Sequence, residues 1–316
     1  MAGFDPTLQP SDDRGHLLTE QSNPRSRRLD QLVTKDLVNL FVEEDRRPQE
    51  AVAGASEALS AAVDAISERL LAGGRLFYLG AGTSGRLGVL DAAECPPTFC
   101  SDPELVQGVL AGGPPALLRS SEGLEDLEQA GRDDLDRHGF RQGDCLVGIA
   151  AGGTTPYVRG GLSYARSIGA LAIAMACVPK DQAPLPCDID IRLLTGPELL
   201  TGSTRLKAGT ATKMALNILS TTVMVRLGKV YGNRMVDVAA SNSKLVDRSL
   251  RILRDLIGVE REEGLALLAL SDGSVKLALL MKAANLSKDQ ARSVLERHDQ
   301  QLRPSLETCG ATLAQL

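Results

Sequence analysis

The chain has 316 residues, of which 43% are hydrophobic and 24% charged, as in ordinary globular proteins. Its net charge of -5 argues against binding to nucleic acid by bulk positive charge, and aromatic residues at 3% offer little stacking surface for bases. No run approaches the roughly 18 apolar residues of a membrane span. Because residues 1–15 also lack the charge and apolar pattern of a signal peptide, we expect a cytoplasmic protein with neither nucleic acid nor membrane as a partner.

The six cysteines and three histidines do not form a metal-binding pattern. No CxxC pair occurs, and His16, His138 and His298 are far apart in the sequence. Several cysteines, such as Cys145 and Cys177, lie in apolar runs that are typical of buried, reduced thiols. The sequence therefore predicts no zinc site and no metal.

The first part of the chain leads into a strand and a glycine-rich turn. Residues 1–30 are polar and predict an extended arm, followed by a helix over 34–47 and a second helix from Pro48 to the Gly73-Gly74 pair. Residues 75–79 form a short run that is apolar from Leu76 onward and predicts a strand. It enters the loop 80–88, in which a helix begins that runs through Ala93.

The same order of strand, glycine-rich turn and helix repeats further along the chain. Residues 145–150, 170–176 and 188–193 predict strands, with a helix to residue 168 and another over 206–227. Strands alternating with helices indicate an α/β fold with a doubly wound, mostly parallel sheet, whose ligand lies at the carboxyl ends of the strands.

The hydrophobic pattern of the sequence changes near residue 245. Residues 249–257, 260–270, 274–281 and 288–297 predict short amphipathic helices. We therefore divide the chain into an N-terminal arm and helix (1–47), a ligand-binding α/β domain (48–245) and a small helical domain (246–316).

The loop 80–88 predicts an anion site. Its glycines let the backbone approach a ligand, Thr83 and Ser84 add hydroxyl donors, and the helix that follows presents free N–H groups. A plain strand-to-helix turn is one alternative. Another is a dinucleotide site, because residues 80–85 match G-x-G-x-x-G, but residues 96–102 do not resemble the strand end that should carry its acidic residue. No Gly-Lys-Ser/Thr follows, which excludes a P-loop.

Two groups of acidic residues are candidates for chemistry. Asp91 and Glu94 are three residues apart and share a helix face, just before a Pro96-Pro97 pair that we expect to end the helix. Residues 122–126 form a second cluster, which includes Glu125 and is predicted to lie on a helix. For each carboxylate the alternative is a solvated surface position.

Several motifs together resemble the N-acetylmuramic acid 6-phosphate etherases, a family with the sugar isomerase (SIS) fold. They are GAGTSGRLG at 80–88 with DAAECPPT at 91–98, LTEQSNPRS at 18–26, EGLED at 122–126, GPE at 196–198, TGSTRLKAGT at 201–210, VYGN at 230–233 and MVD at 235–237. The glucokinase regulatory proteins share the fold and some of these motifs, but they are much longer.

The resemblance implies removal of the D-lactyl ether of N-acetylmuramic acid 6-phosphate by elimination and water addition, with no cofactor and in a homodimer whose sites are shared between subunits. It implies Glu94 as the acid that later activates water, and Glu125 as the second catalytic group, with Glu198 as a third candidate. The residues implied to bind the sugar phosphate are Gly82, Thr83, Ser84, Gly85, Arg86, Gly153, Thr154, Thr155, Glu198, Ser203 and Lys207.

This chain departs from the family at one loop. Where the family usually shows Ala-Ser-Gly-Arg-Thr-Pro, residues 151–156 read Ala-Gly-Gly-Thr-Thr-Pro, so that a serine hydroxyl and an arginine charge are missing at Gly152 and Thr154. Two other functions of the same fold stay open: a sugar-phosphate-binding regulator without catalysis, and an aldose–ketose isomerase. The presence of both Glu94 and Glu125 favours an enzyme over a regulator, and an isomerase would also want a base but would not need the element at residues 94–97.

Overall fold

Five parallel strands form the central sheet of the computed structural model, which describes residues 13–119, 123–238 and 243–314. The strands are β1 (Leu76–Gly80), β2 (Val106–Leu110), β3 (Cys145–Ile149), β4 (Leu171–Ala176) and β5 (Ile189–Arg192), in the spatial order β2-β1-β3-β4-β5. A short antiparallel pair, β6 (Val230–Tyr231) and β7 (Arg234–Met235), follows the sheet.

Helices cover both faces of this sheet. Those that precede the small antiparallel pair are α1 (Thr34–Glu44), α2 (Arg47–Gly54), α3 (Ser56–Leu71), α4 (Gly82–Phe99), α5 (Pro115–Leu118), α6 (Glu128–Arg137), α7 (Pro156–Ser167) and α8 (Lys207–Arg226). Alternate strand residues divide between two cores: Tyr78 and Val147 pack with α3, α4 and α8, whereas Phe77 and Leu146 pack with α6 and α7. The fold is therefore the expected doubly wound α/β fold.

The helical C-terminal region contains α9 (Ser243–Ile257), α10 (Arg261–Leu270), α11 (Val275–Ala284), α12 (Lys288–Arg297) and α13 (Leu302–Thr308). Their apolar residues form a cluster apart from the two sheet cores, with Val275 and Leu279 fully buried in it and Leu265 exposed. Val236 and Val238 also belong to this cluster. No single described helix is long and apolar enough to cross a membrane, although α10 and α11 together meet that length and composition with a bend of 106° between them.

Three features of the N-terminal arm and of helices α2 to α4 differ from the sequence predictions. The helix expected from Pro48 onward is broken at Ala55 into α2 and α3. The Pro96-Pro97 pair does not end α4, because both prolines lie in its last turn and the helix stops only at Cys100 in the left-handed conformation. The described part of the N-terminal arm (residues 13–33) is not extended but contains turns and two short 3₁₀ helices, Pro24–Ser26 and Leu29–Gln31.

Candidate active site

The sheet order creates a crevice between two strand ends. β1 lies beside both β2 and β3, so that the chain leaves β1 toward one side of the sheet and returns to the other. At such a switch point the loops after β1 and β3 diverge and leave room for a ligand at the carboxyl edge. The loop at 80–85 and the loop at 151–155 both open there.

The loop after β1 is built so that α4 begins directly against the strand end. A Cβ on Gly80 would lie 2.7 Å from the backbone N of Gly85, and Gly82 has a φ of +52°, so that both positions favour glycine. Within the described residues no side chain caps α4, and the first backbone hydrogen bond of the helix runs from Gly85 N–H to Ala81 C=O at 3.2 Å. The N–H groups of residues 82–84 therefore precede the helical bonds and are suited to an anion, with the Thr83 and Ser84 hydroxyls beside them.

Arg86 is the fifth residue of this loop that is predicted to bind the sugar phosphate, and its observed contacts are with α5. Its Nε donates to the carbonyl oxygens of Ala116 and Leu117 at 3.0 and 3.3 Å. The guanidinium thereby holds the short helix α5 next to the start of α4.

The loop after β3 requires glycine at position 153 but has space for a larger residue at position 152. Gly153 has a φ of +69°, and a Cβ there would lie 2.8 Å from the Cβ of Ala183. A Cβ on Gly152 would instead meet the Thr19 and Thr154 hydroxyl oxygens at 3.7 and 3.8 Å, which are ordinary contact distances. The departure from the family at Gly152 is therefore not imposed by space. Thr154 and Thr155 are half-buried in this loop, at the start of α7.

Glu125 lies in a turn rather than on the predicted helix. The helix α6 begins only at Glu128, and residues 123–127 form bends and turns that are exposed to solvent. The carbonyl oxygen of Glu125 accepts a hydrogen bond from the Tyr157 N–H at 3.0 Å. This bond fixes Glu125 at the start of α7, beside the loop 151–155. Glu122, from the same predicted cluster, lies outside the described residues.

Glu94 is remote from the crevice. It lies twelve residues beyond Gly82 on α4, a distance of about 18 Å along the helix axis, and α4 runs from the carboxyl edge of the sheet toward the opposite edge. Its exposed side chain lines a cleft between α4 and α8 with a volume of about 360 Å³. Of the predicted site residues, the structure thus brings Glu125 but not Glu94 to the two loops.

Asp91 forms a buried polar group at the base of this cleft, and sequence reasoning did not predict its burial or its contacts. Asp91 is 9% exposed, and its Oδ1 accepts a hydrogen bond from the Ser220 hydroxyl at 3.1 Å. Its Oδ2 and the Tyr78 hydroxyl are both buried without a partner among the described residues. Burial raises the pKa of Asp91, although the neighbouring Tyr78 and Ser220 hydroxyls and the positive charge of Lys213 lower it. The i, i+3 spacing predicts that Asp91 and Glu94 lie on one side of α4. It does not predict the contacts of Asp91 with residues of α8.

Glu198 and Lys207 are engaged in structural contacts. Both Glu198 carboxylate oxygens accept backbone N–H groups at the start of α8, from Lys207 at 3.0 Å and Ala208 at 2.9 Å, and the side chain is fully buried. Burial raises the pKa of Glu198 although these N–H groups lower it. The Lys207 ammonium donates to Glu44 Oε2 at 2.6 Å, where it is 3% exposed. Ser203 is half-buried in the turn before α8.

These bonds hold both side chains at the start of α8, where their burial limits the access of a sugar to them. Among the described residues no group of three His, Cys, Asp or Glu side chains is placed to hold a metal ion.

Comparison with known proteins gives both full-length and local matches. The family model of the glucokinase regulatory protein N-terminal SIS domain matches residues 58–166. An N-acetylmuramic acid 6-phosphate etherase of Synechococcus sp. strain CC9902 is 97% identical over 316 residues, and one of strain CC9605 is 78% identical over 315 residues, with 100% of each chain covered in both cases. A solved phosphoheptose isomerase of Neisseria gonorrhoeae is 19% identical with a TM-score of 0.42, over 61% of this chain and 98% of that chain.

Proposed function

The chain belongs to the N-acetylmuramic acid 6-phosphate etherase family, and from this premise we propose that it cleaves the D-lactyl ether of N-acetylmuramic acid 6-phosphate, giving N-acetylglucosamine 6-phosphate and D-lactate. The observation that carries the proposal is the 97% identity to a named etherase over the whole of both chains. The two-loop crevice supports it, because the start of α4 suits the phosphate monoester of such a substrate.

The reaction combines an elimination with a water addition. Opening of the sugar ring exposes an aldehyde that acidifies the C2 hydrogen, and a base removes this proton. The C3–oxygen bond then breaks while an acid protonates the departing oxygen, which would leave poorly as an alkoxide. Water adds to C3 of the unsaturated aldehyde and restores the proton at C2. No cofactor enters these steps.

The two glutamates have different tasks in this proposal. Glu94 gives its proton to the departing lactyl oxygen and, as a carboxylate, then takes a proton from the attacking water. Glu125 removes the C2 hydrogen. The residues of the two loops, Gly82 to Arg86 and Gly153 to Thr155, hold the phosphate and the sugar, and the surroundings of Ser203 and Lys207 close the crevice from α8.

A homodimer is part of the same proposal, because one subunit separates its two glutamates. Glu94 lies about 18 Å along α4 from the crevice beside which Glu125 is held. A second subunit that docks on α4 and α8 would bring its crevice to the Glu94 cleft. Exposed apolar side chains on these two helices, Leu90, Ile218 and Val225, support such an interface.

The cytoplasm is the compartment that suits this enzyme. All six cysteines are free thiols, and Cys95, Cys145 and Cys177 are buried. Free thiols persist in a reducing compartment.

Release of D-lactate tests the proposed activity. The purified chain is incubated with N-acetylmuramic acid 6-phosphate, and D-lactate and N-acetylglucosamine 6-phosphate are measured together. We expect both in equal amounts. Binding of the substrate without either product would indicate the sugar-phosphate regulator that the SIS-domain match allows, and a ketose product would indicate an isomerase.

Deuterium exchange at C2 separates the tasks of the two glutamates. Glu94→Ala should still exchange the C2 hydrogen with solvent, and a C3 substituent that leaves without a proton should restore part of its elimination. Glu125→Ala should lose exchange and gain nothing from the better leaving group. General acid–base groups contribute roughly 10²- to 10⁴-fold, so the contrast is measurable. The opposite pattern would exchange the two roles.

A further inference from the structure

One positive charge lies in the cleft that contains Glu94. Among the described residues that line this cleft between α4 and α8, Lys213 is the one cation, and Asp91 and Glu94 are the carboxyl groups. Lys213 lies on the exposed side of α8. Two other cationic residues are predicted to bind the substrate, but both donate hydrogen bonds outside this cleft. Lys207 donates to Glu44, and Arg86 donates to the backbone of α5.

The position of Lys213 is fixed by the buried group beneath it. With the Asn217 amide oriented to satisfy both of its neighbours, its nitrogen donates to Asp91 Oδ1 at 3.2 Å and its oxygen accepts from the Lys213 ammonium at 2.5 Å. Asp91 is held in turn by Ser220. This chain of bonds anchors one of the three ammonium hydrogens, and the remaining two are available for an anion at the mouth of the cleft.

The proposed substrate carries two anions, and the loop after β1 accounts for one of them. The second is the carboxylate of the D-lactyl group, whose carbon is only two bonds from the ether oxygen. A side chain that protonates this oxygen therefore works within a few ångströms of the carboxylate. A cation that shares a cleft with the acid is suited to bind it, because the charge-assisted bond neutralises the anion and orients the leaving group.

We propose that Lys213 binds the lactyl carboxylate of the substrate and so selects muramic over glucosamine sugars, with Asp91 and Asn217 as the residues that position it. This inference rests on the proposed function, since it takes Glu94 as the acid at the ether oxygen. It assigns the specificity for the leaving group to α8 and leaves the phosphate to the loops.

A comparison of two substrates tests the assignment. Wild type and Lys213→Met are assayed on N-acetylmuramic acid 6-phosphate and on its lactamide analogue, which replaces the carboxylate by a neutral amide. We expect kcat/KM of Lys213→Met to fall about 10- to 100-fold on the acid, the effect of a lost bond to a charged group, and to change less than threefold or so on the amide. Lys282→Met, which removes an exposed lysine on α11, is the matched control and should equal wild type on both.

Several outcomes would overturn the assignment. Equal losses on the acid and the amide would give Lys213 a role in the fold or the dimer, and no loss on either would remove it from the site. The mass in solution is measured for each variant. Should Lys213→Met change it, Lys213→Gln, whose amide can still contact Asn217, takes its place in the same comparison.

Binding distinguishes this inference from the proposed reaction. If the wild type releases no D-lactate, the proposed reaction fails, but calorimetry with N-acetylmuramic acid 6-phosphate and N-acetylglucosamine 6-phosphate still tests Lys213. Wild type should then prefer the muramic sugar, and Lys213→Met should lose this preference while it binds the glucosamine sugar as before. A wild type without the preference contradicts the inference.

Discussion

Ser84 and Asp91 lie on the same helix, but their surroundings give them opposite tasks. Ser84 is half-buried in the first turn of α4, where the backbone N–H groups have no carbonyl partner within the helix. Asp91 lies two turns later against Tyr78 and Ser220, with one carboxylate oxygen unpartnered among the described residues. The first position suits a charged ligand, whereas the second disfavours a charge of its own.

Substitution of Ser84 should affect the phosphate and leave the fold intact. Ser84→Ala removes one hydroxyl donor from an anion site, so that we expect binding of phosphorylated sugars to weaken by about 1–3 kcal/mol. Calorimetry with N-acetylglucosamine 6-phosphate and with the unphosphorylated sugar measures this effect. Ser293→Ala, on the exposed face of α12, is the control. An equal loss for both sugars would assign Ser84 to the fold.

Asp91 should make the stability of the protein depend on pH. Burial raises the pKa of Asp91 above its ordinary value of 3.8, so that the folded state holds this proton longer than the unfolded chain does. The free energy of unfolding should therefore fall as the pH rises from about 3.8 to the raised pKa, by about 1.4 kcal/mol for each unit of elevation. Asp91→Asn keeps an oxygen for Ser220 and removes the titration.

Urea unfolding of wild type and Asp91→Asn from pH 4 to 8 measures this contribution. The advantage of the variant should grow through the window and then stay constant. Parallel curves over the whole range would mean that Asp91 titrates alike in the folded and unfolded states.

At the scale of elements, a buried ion pair joins α1 to α8. The Lys207 ammonium and the Glu44 carboxylate are 3% and 5% exposed, and Asn23 and Arg25 of the N-terminal arm also contact Glu44. Burial alone would raise the pKa of Glu44, but Lys207, Arg25 and Asn23 hold it below the usual value. Because Glu198 caps the same end of α8, the arm, α1 and α8 are tied together at the rim of the crevice.

Substitution of Lys207 should therefore lower the free energy of unfolding, and any loss of sugar-phosphate affinity should follow from this loss of stability. Lys207→Met leaves Glu44 buried with only the half-exposed Arg25 as a charged partner, and we expect a cost of about 3 kcal/mol in the free energy of unfolding. The double variant Glu44→Gln/Lys207→Met removes the stranded charge and should recover most of this loss. Urea unfolding and sugar-phosphate affinity are measured on both variants. Recovery of stability without recovery of affinity would restore Lys207 as a ligand contact.

The sequence predicted the elements whose pattern is local. The strands β1, β3 and β4 were predicted because a parallel strand buried on both faces is a continuous apolar run. The edge strand β2 was missed because Gln107 and Gly108 interrupt its apolar residues. Gly108 is needed there, since a Cβ would lie 2.5 Å from the Cα of Val89 on α4. That requirement is visible only once the helix is packed on the strand.

The candidate site was also predictable only where its signal is local in the sequence. Its two loops follow from glycine spacing at strand ends, a local signal. The partner of Lys207 could not be predicted, because Glu44 is 163 residues away in sequence and an ion pair at that separation leaves no periodic pattern. The turn that holds Glu125 depends on one backbone bond to Tyr157, which spacing does not show either.

At the scale of the whole molecule, the helical region has a core of its own. Lys276 is 2% exposed and donates to Asp237 and to the Gln300 carbonyl, both at 2.7 Å. This contact joins the segment after β7 to α11. Since Val236 and Val238 also pack in the helical core, that core already involves residues before 245, and the domain boundary at 245/246 stays a prediction.

The site that we propose to be shared between two subunits predicts that two inactive variants restore each other. Glu94→Gln and Glu125→Gln each remove one catalytic carboxyl group, and both homodimers should be inactive. After subunit exchange, half of the dimers contain one subunit of each kind. If Glu94 of one subunit works with Glu125 of the other, every such dimer has one site with both glutamates and one with neither. The mixture should therefore regain about a quarter of the wild-type activity.

A site built from a single subunit predicts a different activity for the mixture. If both glutamates of a site came from one subunit, each site in the mixed dimer would lack one carboxyl group, and the mixture would stay inactive. D-lactate release is measured after brief treatment in mild urea and its removal, which lets subunits exchange, with wild type carried through the same steps. The mixture of Glu94→Gln with itself, differently tagged, shows whether exchange has occurred. Activity near zero in a sample that has exchanged contradicts the shared site, and with it the docking of a second subunit's crevice on the cleft that contains Glu94 and Lys213.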